Sequence, residues 1–273
     1  MDGGSGGKSD PTRGALTMTA APISVWRTHQ SSLLRIRLAR PKANILDAAM
    51  VAALEDALGT ELGQGPTLGV LIDADGPHFS FGASVEEHLP DACAEMLRGF
   101  HALVVRVLAA PVPVLFAVRG QCLGGGMELA LAGTRVFAAS DARFGQPEIK
   151  LGVFAPVASC LLPERVGRPL AEDLLLSGRS LDAEAAHAAG LVQTVAADAE
   201  AAAVEWFATH IANKSAATIR CAMAAARGDL VARIPARLVE LEALYLDDLM
   251  RTRDAPAGLR AFLEKRTPHW EHA

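Results

Sequence analysis

The residues with the most chemical content lie between Gly124 and Glu148. Gly124-Gly125-Gly126 runs straight into Met127-Glu128-Leu129, and Phe144-Gly145-Gln146-Pro147-Glu148 brings a second acid twenty residues after the first. Glycines ahead of a helix leave backbone amides uncovered where unpaired N–H groups and the macrodipole favour negative charge. Two carboxylates beside such amides are the parts needed to polarise a carbonyl, hold the enolate that follows and add water across an activated double bond. Each feature also has an ordinary reading. The glycines serve tight turning and close helix packing, Glu128 falls in a first helical turn where acids are common, and Glu148 follows a proline in a loop. Phosphate cradling is the weaker alternative, because neither GxxxxGK[ST] nor GxGxxG occurs at these glycines.

A second glycine turn, His78-Phe79-Ser80-Phe81-Gly82-Ala83-Ser84, comes just after a strand predicted to end near Asp73. It precedes Ser84-Val85-Glu86-Glu87, which reads as a capping box and puts Ala83 at a helix start. Ligands of parallel sheets collect beyond the carboxyl ends of the strands. The amides of Ala83 and Gly125 are therefore expected to converge on one carbonyl oxygen. The spacing from Glu128 to Glu148 leaves room for a helix, a strand and a return to the same end of the sheet. His78 and His88 flank the upstream turn and read as surface or internally satisfied residues.

The elements that must position these groups follow from periodicity. Leu33 to Leu38 reads as a half-buried strand, with Leu34, Ile36 and Leu38 on one face and Arg35 and Arg37 solvated on the other. Asn44 is the predicted N-cap of a helix carrying Met50, Leu54 and Leu58, which Gly63, Gly65 and Pro66 end. Leu68 to Ile72 reads as a strand covered on both faces. A long helix is expected between Asp91 and Leu108, then a strand at Val112–Val118, a turn at Arg119-Gly120-Gln121, a helix through Met127–Ala132 and a strand at Arg135–Ala138. Such alternation calls for right-handed crossovers and an α/β fold. Beyond about Ala199 the strand signal stops, and helical sequence fills Glu200–Leu249 and about Ala257–Lys265.

Composition narrows the function classes. The 273 residues are 51% hydrophobic and only 5% aromatic, which suits helices on a sheet. A net charge of −5 without a long basic run argues against a nucleic-acid partner. The most apolar segment, His101–Val118, is broken by Arg106, Pro111 and Pro113, so no membrane span of about twenty residues is expected. Cys93, Cys122, Cys160 and Cys221 are too dispersed for a metal site and read as free buried thiols. Residues 1–17, rich in Gly and Ser, read as a disordered tail without a secretory h-region, with Met18 as a possible second start; a cytoplasmic, reducing setting follows.

Taken in order, Ala39-Arg40-Pro41-Lys42-Ala43-Asn44, Phe79-Ser80-Phe81-Gly82-Ala83, the run Gly120–Ala130 and Phe144–Glu148 resemble the crotonase, or enoyl-CoA hydratase/isomerase, family, over about residues 24–268. The resemblance implies a spiral of repeated ββα units over residues 18–199, with an appended C-terminal helical trimerisation region over 200–273. It implies that Ala83 and Gly125 supply the oxyanion-hole amides for an acyl-CoA thioester and that Glu128 and Glu148 are the catalytic acids of a hydro-lyase. Lys42 is a candidate coenzyme A contact, and Phe262 and Lys265 of the last helix would approach coenzyme A bound to a neighbouring subunit. Coenzyme A enters as part of the substrate, with no cofactor and no metal. Homotrimers or dimers of trimers are the implied assembly.

The chain departs from the family pattern after Glu148, where Gly152-Val153-Phe154-Ala155-Pro156 replaces a glycine-rich stretch and Pro156 removes an amide. Phe81 stands where a small residue is usual. Phe81, Phe154 and Pro156 are thus candidate pocket residues, and the resemblance of these departures implies a flat pocket for a cyclic conjugated dienoyl thioester. Hydration of linear 2-enoyl thioesters, double-bond isomerisation and non-catalytic acyl-CoA binding remain open alternatives. Neither glycine turn presents a Ser with an evident His and Asp partner, so peptidase chemistry is not expected.

Overall fold

The computed structural model describes residues 21–62 and 66–273. The tail expected over 1–17, and Gly63 and Gly65, lie outside the described residues. The chain opens with a hairpin of β1 (Ile23–Thr28) and β2 (Leu33–Leu38), followed by α1 (Ala48–Glu61) and β3 (Gly69–Ala74). The long helix α2 (Pro90–Leu108) leads to β4 (Val114–Val118), β5 (Gln121–Leu123), α3 (Gly125–Ala132), β6 (Arg135–Ala139) and β7 (Arg143–Gly145). After a 3-10 turn at Pro147–Leu151 come α4 (Pro156–Val166), α5 (Arg168–Ser177), β8 (Ser180–Asp182), α6 (Ala183–Ala188) and β9 (Thr194–Ala196). The rest is helical: α7 (Ala199–His210), α8 (Ala216–Ala243) and α9 (Asp254–Leu263), with a π turn at Leu244–Asp248 prolonging α8.

Two sheets result. The larger has the order β1-β2-β3-β4-β6-β9 and is parallel from β2 onward; the smaller has the order β5-β7-β8. Parallel neighbours need a crossover connection; those from β2 to β3 and from β3 to β4 are helical, while the one from β4 to β6 carries the extra strand β5 and the one from β6 to β9 carries β7 and β8. β4 lies in the large sheet, β5 in the small one, and α3 returns the chain; β6, β7 and α4 repeat the pattern. This is the expected spiral of ββα units. It delivers the loops after β3 and β5, and the turn after β7, to one end of the molecule.

Several local expectations are corrected. β2 is not half-buried: Leu33, Leu34, Ile36 and Leu38 are inaccessible and Arg35 is only 5% exposed. As second strand of six, β2 meets α1 on one side, while on the other Glu200, at the start of α7, reaches its arginines. Arg35 and Arg37 are therefore paired with Asp73 and Glu200 rather than solvated, and both guanidinium groups lie over Trp26, at 5.0 and 5.2 Å. A buried arginine is tolerated only with such pairing.

The N-cap of α1 is Asp47, whose carboxylate accepts from the Met50 amide at 2.8 Å, and not Asn44. Asn44 instead sits at φ +44, a conformation its short polar side chain permits. The expected capping box yields only a single 3-10 turn at Glu86–His88, with Glu87 N–H donating to Ser84 Oγ at 3.4 Å, before α2 starts at Pro90. Of the four cysteines, Cys93, Cys122 and Cys160 are buried, but Cys221 is exposed on α8.

Candidate active site

The two glycine turns are joined by backbone hydrogen bonds before any side chain is considered. Ser80 N–H donates to Gln121 O and Leu123 N–H to Ser80 O, both at 3.0 Å, so the loop after β3 runs alongside β5. Ser80 then fixes the turn from within: its hydroxyl donates to Asn44 O at 2.8 Å and accepts from Gly82 N–H at 3.0 Å. Asn44 anchors the other side, its amide donating to Asp75 O and His78 O at 3.0 Å each. At Gly126 a β-carbon would stand 2.7 Å from Ser80 Cβ, so close helix packing is one task of the glycine run.

This zipper brings the two predicted amides together. A β-carbon on Gly125 would lie 3.1 Å from the Ala83 nitrogen. Among the described residues neither the Ala83 nor the Gly125 amide has a protein acceptor. Gly125 opens α3, where an unpaired N–H is inherent to the helix and the dipole adds to its attraction for an anion. Two free donors at adjacent positions fit a carbonyl oxygen that becomes an oxyanion.

Both carboxylates open onto the same cavity of about 740 Å³, which the two amides also line. Glu128 is 5% exposed, surrounded by the apolar side chains of α3. The amides of Val157 and Ala158 at the start of α4 donate to it, the latter at 2.8 Å. Burial pushes the Glu128 carboxyl up to about 7, against the pull of those two amides. Glu148 stands in the 3-10 turn after β7 rather than in an open loop. Burial first, and the charge of Glu128 second, push its carboxyl up to about 8. Two buried acids, both raised by burial and one of them further by the other's charge, hold one proton between them near neutral pH, the state in which one is a base and the other an acid.

Pro156 begins α4, and its missing N–H falls where a helix has no partner for it; the next amides serve Glu128. Phe154 lines the cavity against Tyr245, with ring centroids 5.2 Å apart. Phe81 lines the mouth, 42% exposed and edge-on to His78. Phe262 of α9, 53% exposed, lines the cavity of its own chain. Lys42 and Lys265 are exposed and outside the cavity lining. Among the described residues no group of three or more His, Cys, Asp or Glu is placed to hold a metal ion, and no helix is long and apolar enough to cross a membrane.

Four polar residues escaped the sequence reading as site groups. With its amide nitrogen turned toward Glu148, Gln146 donates to both carboxylate oxygens at 3.1 and 3.0 Å; its place two residues before the acid was the available signal. His88, read as a satisfied residue, donates from Nδ1 to Ser84 O at 2.7 Å and also lines the cavity, where burial keeps its pKa below the usual value. His101 on α2 is 4% exposed and held by Glu242 of α8 at 2.5 Å. Tyr245 comes from the π turn. Both His101 and Tyr245 border the cavity, and nothing in their neighbouring sequence marks them.

A spiral of ββα units with two free amides and two facing acids at one cavity defines an acyl-polarising acid–base site. The enoyl-CoA hydratase/isomerase family matches residues 28–273, and the chain belongs to that family. It is 59% identical to cyclohexa-1,5-dienecarbonyl-CoA hydratase of Thauera aromatica, over 94% of this chain and all of that protein. A probable enoyl-CoA hydratase of Mycobacterium bovis is 34% identical over 93% of this chain and all of its own length. The crystal structure of an enoyl-CoA hydratase from Mycobacterium avium subsp. paratuberculosis superposes with a TM-score of 0.80 at 26% identity, covering 92% of this chain and 99% of that one.

Proposed function

We propose that this protein hydrates a cyclic conjugated dienoyl thioester of coenzyme A, with cyclohexa-1,5-diene-1-carbonyl-CoA as its substrate. The observation that carries the reading is the convergence of the Ala83 and Gly125 amides with the carboxyls of Glu128 and Glu148 on one cavity. The ring substrate is supported by the name and identity of the Thauera aromatica relative and by Phe154 and Phe81 in the lining.

In this reading the thioester oxygen sits between the amides of Ala83 and Gly125, each donor contributing about 3–4 kcal/mol as charge develops on that oxygen. The ionised member of the Glu128/Glu148 pair takes a proton from water, whose oxygen attacks the β carbon; the protonated member delivers its proton to the resulting dienolate. The two together contribute about 10²–10⁴-fold. Gln146 keeps Glu148 facing the cavity, and the amides of α4 do the same for Glu128. Lys42, Phe262 and Lys265 are proposed contacts of the coenzyme A moiety outside the reaction centre. The proposed assembly is a trimer or a dimer of trimers through residues 200–273, supported by Val239 and Leu244, which are 65% and 46% exposed.

The test compares cyclohexa-1,5-diene-1-carbonyl-CoA with crotonyl-CoA, following loss of conjugated absorbance and gain of one water in product mass. Faster hydration of the cyclic diene is expected. A preference for crotonyl-CoA would return the chain to linear-substrate hydration, and no hydration of either would leave acyl-CoA binding without this chemistry.

A further inference from the structure

Tyr245, the single tyrosine of the chain, has no exposed surface, and its hydroxyl has no hydrogen-bond partner among the described residues. Burying a hydroxyl unpaired costs about 1–3 kcal/mol, and a phenylalanine of the same shape would avoid that cost. The ring is aimed by two devices. It packs on Phe154, and it belongs to the π turn at Leu244–Asp248, where the regular winding of α8 gives way. Such one-turn widenings recur at functional sites because they redirect a single side chain. The side chain borders the cavity that holds both carboxyls, close enough that the charges of Glu148 and Glu128 act on it.

We infer that the Tyr245 hydroxyl is a third polar group of the reaction centre, which donates a hydrogen bond to the oxygen of the water being added and to the product hydroxyl that this oxygen becomes. The inference rests on the hydratase reading and deepens it. Water has two protons and two lone pairs. One proton goes to the ionised carboxylate and one lone pair attacks carbon; a donor on the second lone pair sets the direction of the first. An ionised carboxylate has no proton to donate, the protonated carboxyl commits its proton to the dienolate, and the oxyanion amides are occupied by the thioester. A phenol kept protonated by its surroundings can fill that role, and burial pushes the Tyr245 hydroxyl's pKa upward. No proton is transferred from Tyr245, so the balance of the hydration is unchanged.

The experiment is Tyr245→Phe, which keeps the ring and its contact with Phe154. The expected result is a fall in kcat of about 10-fold or more, the loss of a buried hydrogen bond that directs the attacking water, with KM within about twofold and a melting temperature equal to or above that of the wild type. A purely structural tyrosine would show the reverse, a lower melting temperature with unchanged kcat, and that result would overturn the inference. Calorimetric binding of 3-hydroxybutyryl-CoA and butyryl-CoA gives a second readout that needs no turnover. The wild type should favour the hydroxylated ligand and Tyr245→Phe should lose most of that preference; an equal preference in both proteins would also overturn it. Absence of hydration by the wild type alone would sink the hydratase reading, with the ligand comparison still deciding the role of Tyr245.

Discussion

Gly124 and Glu148 occupy one volume: a β-carbon on residue 124 would stand 2.5 Å from Glu148 Oε1. The backbone there is at φ +49, which glycine adopts without strain. Gly124→Ala should therefore move the carboxylate away from its partner. A displacement of about 1 Å at a reacting group costs on the order of 10²-fold in rate, so kcat should fall by at least that much. Steady-state kinetics with a thermal melt check this, and a kcat near the wild-type value would mean that Glu148 need not sit where it does.

Glu128→Gln and Glu148→Gln should each lower kcat by about 10²–10⁴-fold, because each removes one half of a proton relay. The double variant should be little slower than either single one, since the two act as a unit. Calorimetry should find acyl-CoA affinity within a few-fold of wild type in all three. Wild-type turnover in either single variant would refute the assignment.

The raised carboxyls make stability depend on pH in a stated direction. Both bind protons more tightly folded than unfolded, where 4.5 is the ordinary value. The stability they contribute is complete below that value and lost as pH rises through about 7 for Glu128 and about 8 for Glu148. Glu148→Gln escapes this loss. Its melting temperature should match that of the wild type at about pH 5 and exceed it by several degrees at about pH 9. A difference that shrinks with rising pH would contradict the burial argument.

The ion cluster on β2 and β3 should matter for stability and not for turnover. Asp73 accepts from both Arg35 and Arg37, and breaking a buried pair typically costs about 3–5 kcal/mol. Asp73→Asn should approach that loss in urea unfolding, whereas Glu200→Gln, on the more exposed rim, should cost about 1 kcal/mol or less. Equal effects would mean that burial does not grade the cluster.

Ring selectivity should depend on Phe154. Phe154→Ala should lower the ratio of kcat/KM for the cyclic diene over crotonyl-CoA by about tenfold or more, the usual scale for lost apolar contact in a pocket. An unchanged ratio would remove Phe154 from the pocket wall.

The acids and glycines were legible in the sequence because their placement follows from local chemistry. Gly124-Gly125-Gly126 before Glu128 announces a helix start with open amides, and α3 begins at Gly125. Leu68–Ile72 and Arg135–Ala138 read as strands from their apolar runs alone, and β3 and β6 lie over those segments. The short strands β5, β7 and β8, of three residues each, carry too little periodicity to detect. Arg35 and Arg37 misled for a related reason: alternation of Leu and Arg is the pattern of a half-exposed strand, and only the arrival of Glu200 from far along the chain makes their burial possible.

What the sequence determined by itself is therefore the inventory: the family, the two amide-bearing turns, the pair of acids and the aromatic replacements near them, all readable within short windows. The tertiary structure decided which of these meet and in what state. Glu148 gains its upward shift from burial first and then from Glu128, twenty residues away in sequence; Glu128 gains its amides from α4; Phe262 and Tyr245 reach the cavity from the far end of the chain. Proximity, exclusion of water and unpaired hydroxyls are properties of the packed interior, set by contacts distant in sequence, and no local pattern of residue types encodes them.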